Sequence, residues 1–107
     1  MKPIRFHPEA EAEMIAAATW YELQQADLGK RFLSAVQDSL IRIAINPRLF
    51  PVVEGDVRRC LAKTYPFGVL FRDKPDTIVV TAVMHLHRDP DYWKNRRLED
   101  MDRGDRA

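Results

Sequence analysis

The stretch Thr77-Ile78-Val79-Val80-Thr81-Ala82-Val83-Met84-His85-Leu86 decides how this chain folds. It is apolar or β-branched at nearly every position, which reads as a strand over about 77–86. Alternation places Ile78, Val80, Ala82, Met84 and Leu86 on one face, and Val79, Thr81, Val83, His85 and His87 on the other. A strand apolar on both faces belongs in the middle of a sheet with a cover on each side. Two further strands precede it, at about 57–62 and 66–72, and Asp73-Lys74-Pro75-Asp76 forms the turn between the last two.

The first cover comes from the N-terminal half. Ile4-Arg5-Phe6 is a short strand, and His7-Pro8-Glu9 opens a helix with Pro8 at its first position. Ala10, Met14, Ala17, Ala18 and Tyr21 make one apolar stripe. After Gln24-Gln25-Ala26, Asp27 is the expected N-cap of a second helix with the stripe Gly29, Phe32, Leu33, Val36, Leu40, Ile43 and Ala44. Asn46-Pro47 ends it. The two helices form an antiparallel hairpin, and Phe50 to Asp56 reads as a loop. Nothing obvious is left to cover the second sheet face, which is therefore expected to be open to a ligand or partner. Residues 94–101 are expected to fold back as a short helix.

These elements define an α+β fold: one domain over 1–97 with a polar tail over 98–107. At 107 residues the chain supports one core. Its lone cysteine, Cys60, excludes an internal disulfide and reads as a packing residue in a cytoplasmic protein. No run is long and apolar enough for a membrane span.

Net charge is only +1, but its distribution is uneven. Residues 1–57 carry six cations and eight acids, residues 58–107 eleven cations and eight acids. Arg58, Arg59, Lys63 and Arg72 fall within 57–72, where there is no acid. On adjacent strands they would add into one basic patch for a target or nucleic acid. His85, His87 and Tyr92 offer proton transfer, and Tyr92 and Trp93 offer stacking on bases or, alternatively, an apolar anchor for the C-terminal segment. His85-x-His87-x-Asp89 has metal-ligand spacing. The only other histidine is His7, and no second ligand cluster exists, so neither metal nor cofactor is expected. Trp20, Leu23 and Phe50 read singly as core residues, or together as a second apolar surface near the hairpin.

The ordered set of motifs resembles the RelE/ParE superfamily of bacterial type II toxin–antitoxin, or plasmid stabilisation, systems. It comprises Phe6-His7-Pro8-Glu9, Trp20-Tyr21, Leu28-Gly29-x-x-Phe32, Asn46-Pro47, Phe50-Pro51, Arg58-Arg59, Tyr65-Pro66-Phe67-Gly68-Val69-Leu70-Phe71-Arg72 and His85-x-His87-Arg88-Asp89-Pro90-x-Tyr92-Trp93. The resemblance implies a helical hairpin on a small, mainly antiparallel twisted sheet. It also implies a protein partner, an antitoxin that wraps and neutralises the toxin in a heteromeric complex. RelE-like members cleave mRNA in the ribosome; ParE-like members poison DNA gyrase. In the first case Arg88 would be the matched catalytic cation, with His85, His87 or Tyr92 as proton carriers and Arg59 or Lys63 replacing second-strand lysines. Gly68 stands where those ribonucleases carry an arginine, and Tyr92 follows Arg88 too closely, so the resemblance leans toward the ParE-like, gyrase-directed branch. If an enzyme at all, the chain would be an mRNA endoribonuclease; a third possibility is a non-toxic binding module of the same fold.

Overall fold

A computed structural model describes residues 1–97 and 99–104, with the side chains of 102–104 set aside. In chain order the elements are β1 (Ile4–Phe6), α1 (Pro8–Gln24), α2 (Leu28–Ile45), a 3-10 turn (Pro47–Leu49), β2 (Val52–Glu54), β3 (Val57–Leu61), β4 (Phe67–Asp73), β5 (Ile78–His85) and α3 (Glu99–Gly104). The five strands form one sheet in the order β1-β5-β4-β3-β2. β1 runs parallel to β5 and the other pairs are antiparallel. The α+β architecture is the expected one, with the apolar strand β5 inside the sheet. Expectations for residues 98 and 105–107 lie outside the described residues.

Local chemistry explains the helix entries. His7 caps α1: the Glu9 N–H donates to its Nδ1 at 3.1 Å, and Pro8 occupies the first turn, where no N–H is needed. Asp27 stands at the N-cap of α2 as expected, but its side chain makes no capping hydrogen bond. It sits in the left-handed region (φ 71°), and Glu22 supplies the acceptors instead. The Glu22 carboxylate receives the N–H groups of Asp27 (3.0 Å) and Gly29 (3.1 Å), so the cap arrives from the preceding helix.

The main core lies between hairpin and sheet. Ala10 and Ala18 of α1 and Phe32, Val36 and Ile43 of α2 pack on Cys60, Val69, Phe71, Ile78, Val80 and Val83. Tyr21, Phe32, Tyr65 and Phe67 interlock at one end, with Phe32 and Phe67 ring centroids 5.0 Å apart. Each large apolar side chain buried here contributes about 1.5–3 kcal/mol, which outweighs the ~0–1 kcal/mol of an exposed ion pair. Leu33, assigned to the stripe of α2, is instead exposed at its flank.

Three further expectations are corrected. The 50–56 loop contains β2, which pairs with β3 around Gly55; the β-branched pair Val52-Val53 extends, and Gly55 takes the positive φ of the turn. Strict alternation along β5 fails at a β-bulge: Leu70 pairs with Ala82 but Phe71 pairs with Val80, leaving Thr81 extra. Val83 therefore joins Ile78 and Val80 on the hairpin face, while Ala82 and Met84 turn to the opposite face. That opposite face is not open. Residues after β5 fold back over it, and Trp93, only 3% exposed, packs with Val57, Leu70, Ala82 and Met84. No described helix is long and apolar enough to cross a membrane.

Candidate functional site

The basic rim expected between Arg58 and Trp93 is divided by the sheet. Arg58 shares a face with Cys60 toward the hairpin, and its Nη1 donates to the Phe50 carbonyl at 2.7 Å. Arg59 points the other way, into a small pocket with Leu70, Met84, Trp93 and Lys94. Its stem lies over Gly68, where an added Cβ would meet Arg59 Cγ and Cδ at 3.1 Å. That stem fills the space above Gly68, the position where the ribonucleases' arginine would stand. Arg72 lies 3.3 Å from Asp56 and donates to the Arg96 carbonyl at 3.5 Å. Lys63 is exposed in the loop between β3 and β4. Strand alternation thus turns Arg58 to the face opposite Arg59 and Arg72, so the four cations do not form one patch.

Trp93, a candidate for target contact, is buried and serves as the anchor of the C-terminal segment. Cys60 is fully buried, and burial pushes its thiol up, consistent with a packing role. No group of three described His, Cys, Asp or Glu side chains converges to hold a metal. The His85 and His87 rings lie 5.3 Å apart, and His85 Nδ1 accepts the His87 N–H at 3.1 Å.

Arg88 and Tyr92 enter a network organised by two residues that the sequence did not single out, Glu13 and Arg96. Arg96 Nη1 and Nη2 donate to the two Glu13 oxygens at 2.7 and 3.2 Å, a bidentate pair with both side chains largely buried. Arg96 also reaches Glu9 at 3.1 Å and the Thr81 carbonyl at 3.1 Å. Arg88 donates to Glu13 at 3.1 Å, and its guanidinium lies 3.7 Å from the centre of the Tyr92 ring. Burial opposes charge on Arg96, but the hydrogen bonds it donates to the Glu13 carboxylate raise its pKa above the ordinary value. Burial first, then the Glu13 carboxylate, push the Tyr92 phenol well above its ordinary range; Arg88 and Arg96 offset only part of this. A phenol held protonated in this way is poorly matched to proton transfer near neutrality. Glu13 had a visible signal: an acid set beside the apolar stripe of α1, one turn from Ala10 and Ala17.

Further along the same flank of α1 lies an apolar groove of about 540 Å³, lined by Ala16, Ala17, Trp20, Tyr21, Pro66, Phe67 and His85. The alanines keep one wall low while the aromatics form the other. Trp20 is 57% exposed and Leu23 79% exposed, so neither is the core residue that its hydrophobicity favoured. Phe50, grouped with them in sequence, instead packs on Phe71 with ring centroids 6.0 Å apart. The groove runs from exposed Trp20 toward His85, with His87 and Arg88 just beyond. It can take up apolar side chains, with cationic or ionisable groups at one end.

A family model described as the ParE toxin of type II toxin–antitoxin system, parDE, matches residues 4–90. A solved structure described as the chromosomal ParDE TA system from P. aeruginosa superposes with a TM-score of 0.63. It is 20% identical, and the alignment covers 81% of this chain and 98% of that one, a likeness of fold. No curated protein sequence matches.

Proposed function

The chain belongs to the ParE toxin family of type II toxin–antitoxin systems, and from that premise we propose that it inhibits DNA gyrase in the cytoplasm until a cognate antitoxin neutralises it. The family match over residues 4–90 carries this reading. The site chemistry supports it from the other side. Arg88, the one good match to a ribonuclease cation, is paired with Glu13 and stacked on Tyr92. The remaining cations are spread over both faces of the sheet and do not converge on a phosphate.

The antitoxin's place in this reading is the groove at Trp20. Its exposed aromatic wall suits the apolar side of an amphipathic partner segment, and His85 at its end, with the His87 ring 5.3 Å away, suits an acidic residue beside it. A heteromeric complex follows, with Trp20 and Leu23 covered.

Inducible expression without antitoxin tests the target. Double-strand breaks with an SOS response and intact messages are expected, and Arg88→Ala is expected to remain toxic. Messages cut within codons, together with loss of toxicity in R88A, would replace gyrase by ribosome-bound mRNA. Healthy growth with ample folded protein would leave a non-toxic binding module. Trp20→Glu is expected to fold, remain toxic, and fail to co-purify with an antitoxin encoded in the adjacent reading frame.

A further inference from the structure

The segment that follows β5 covers one face of the sheet without adding a strand to it. Its backbone hydrogen bonds are local: the N–H of Arg88 donates to His85, Tyr92 to Asp89, Lys94 to Asp91 and Arg96 to Trp93. Fastening to the rest of the molecule therefore falls to side chains, and much of it passes through one carboxylate. Glu13 receives Arg96 through both oxygens and Arg88 through Oε2. The same Glu13 accepts the Val83 N–H at 3.1 Å. β1 pairs with β5 only as far as Val80, so Glu13 occupies the edge of β5 where the parallel strand stops.

Beneath this segment the polar accounting is incomplete. Arg59 Nε, Thr81 Oγ1 and Trp93 Nε1 are shut away from solvent, and none has a hydrogen-bond partner. Outside this region and its neighbour Arg72, only Arg42 Nε is in that state among the described residues. Buried donors without acceptors weaken a closed arrangement relative to an open, hydrated one. Trp93 and the Arg96–Glu13 pair hold the segment down, while the unpartnered atoms under it favour release.

We propose that residues 88–97 form a latched strap that opens as a unit while the hairpin and sheet stay folded, with Glu13 as its latch. Opening bares Leu70, Ala82 and Met84 and frees Arg59 and Arg88 together, so the strap governs when these cations and the apolar face become available. The inference stands apart from the gyrase reading, because it concerns an equilibrium of the isolated chain.

Amide hydrogen exchange on the full chain tests it. Strap amides are expected to exchange through an opening at least ~30-fold more populated than that of β4. The Val83 amide, bonded to Glu13 of the hairpin, is expected to exchange with the sheet and not with the strap. Glu13→Gln, which removes the charge from the bidentate pair, is expected to raise strap exchange by ~10-fold or more while β4 is unchanged. Strap protection equal to that of β4, or an equal acceleration everywhere in E13Q, would overturn the proposal. Should E13Q fail to fold, the Trp20→Phe protein leaves Trp93 as the sole indole. A red shift of its emission at lower urea than the loss of sheet circular dichroism supports the strap; coincident transitions refute it.

Discussion

The two faces of one sheet are covered in opposite ways. The hairpin face carries two helices whose stripes meet in a continuous core of Phe32, Val36, Ile43, Phe71 and Val80, with four aromatics interlocked at its end. The other face carries a strap fixed by Trp93 and by a Glu13–Arg96–Arg88 network. The first cover is secured by area that no single residue dominates. The second depends on a few directional contacts, and several buried polar atoms there lack partners. The difference teaches that strands of near-uniform apolarity need not have equally firm covers, because the cover decides the firmness.

Two glycines sharpen the contrast, one on each face. A Cβ at Gly29 would stand 2.4 Å from the Ala18 carbonyl oxygen, where α1 and α2 approach. Neither backbone can yield, so Gly29→Ala should cost about 1–3 kcal/mol or more, read from urea denaturation. At Gly68 the obstacle is the flexible Arg59 stem at 3.1 Å, which can swing aside. Gly68→Ala should cost less than about 1 kcal/mol. Equal costs at the two positions would mean that the faces are equally rigid.

The same contrast explains what could be seen in the sequence. Helical stripes, the His7-Pro8 entry and the apolar strand over 77–86 are local patterns, so the hairpin, three main strands and their packing were legible. The strap was legible only in part: Trp93 as an apolar anchor of the C-terminal segment could be read from the sequence, but the Arg96–Glu13 pair could not, because its partners lie 83 residues apart. The bulge at Thr81 follows from strand pairing, and it moved Val83 across the sheet. The supposed basic patch failed for a simpler reason: Arg58 and Arg59 are neighbours in sequence and must face opposite ways on a strand. For Trp20 the sequence allowed both a core ring and a second apolar surface near the hairpin, and its exposure decides for the surface, because hydrophobicity alone cannot separate the two.

A smaller effect is expected at the anchor of the strap. Trp93 contributes its rings to the second core, but its Nε1 has no hydrogen-bond partner. Trp93→Phe therefore removes area without breaking a bond and should cost no more than about 1–2 kcal/mol. A larger loss by denaturation would mean that the indole N–H is satisfied and the strap is more firmly held than its contacts indicate.

The smallest effect at neutral pH, and the one that isolates a single atom, belongs to Tyr92. Its hydroxyl is buried beside the Glu13 carboxylate, while its ring supports Arg88 and Arg96. Tyr92→Phe keeps the ring and removes only the buried hydroxyl, so stability at pH 7 should change by no more than about 0.5–1.5 kcal/mol. The pH dependence should change more. The folded-state pKa is raised, by burial first and by Glu13 second. The group's contribution is therefore fully present below the unfolded value of about 10 and is lost as pH rises from there toward the folded value. The unfolded chain ionises first, and alkali drains stability from the fold. Denaturation curves between about pH 9 and 11 should show a shallower decline in Tyr92→Phe than in the parent. Parallel curves would place the alkaline sensitivity elsewhere, with Tyr21 the next candidate because burial and Tyr65 raise its pKa as well. Tyr21 belongs to the hairpin and Tyr92 to the strap, so the residue that carries the alkaline loss also identifies which cover yields.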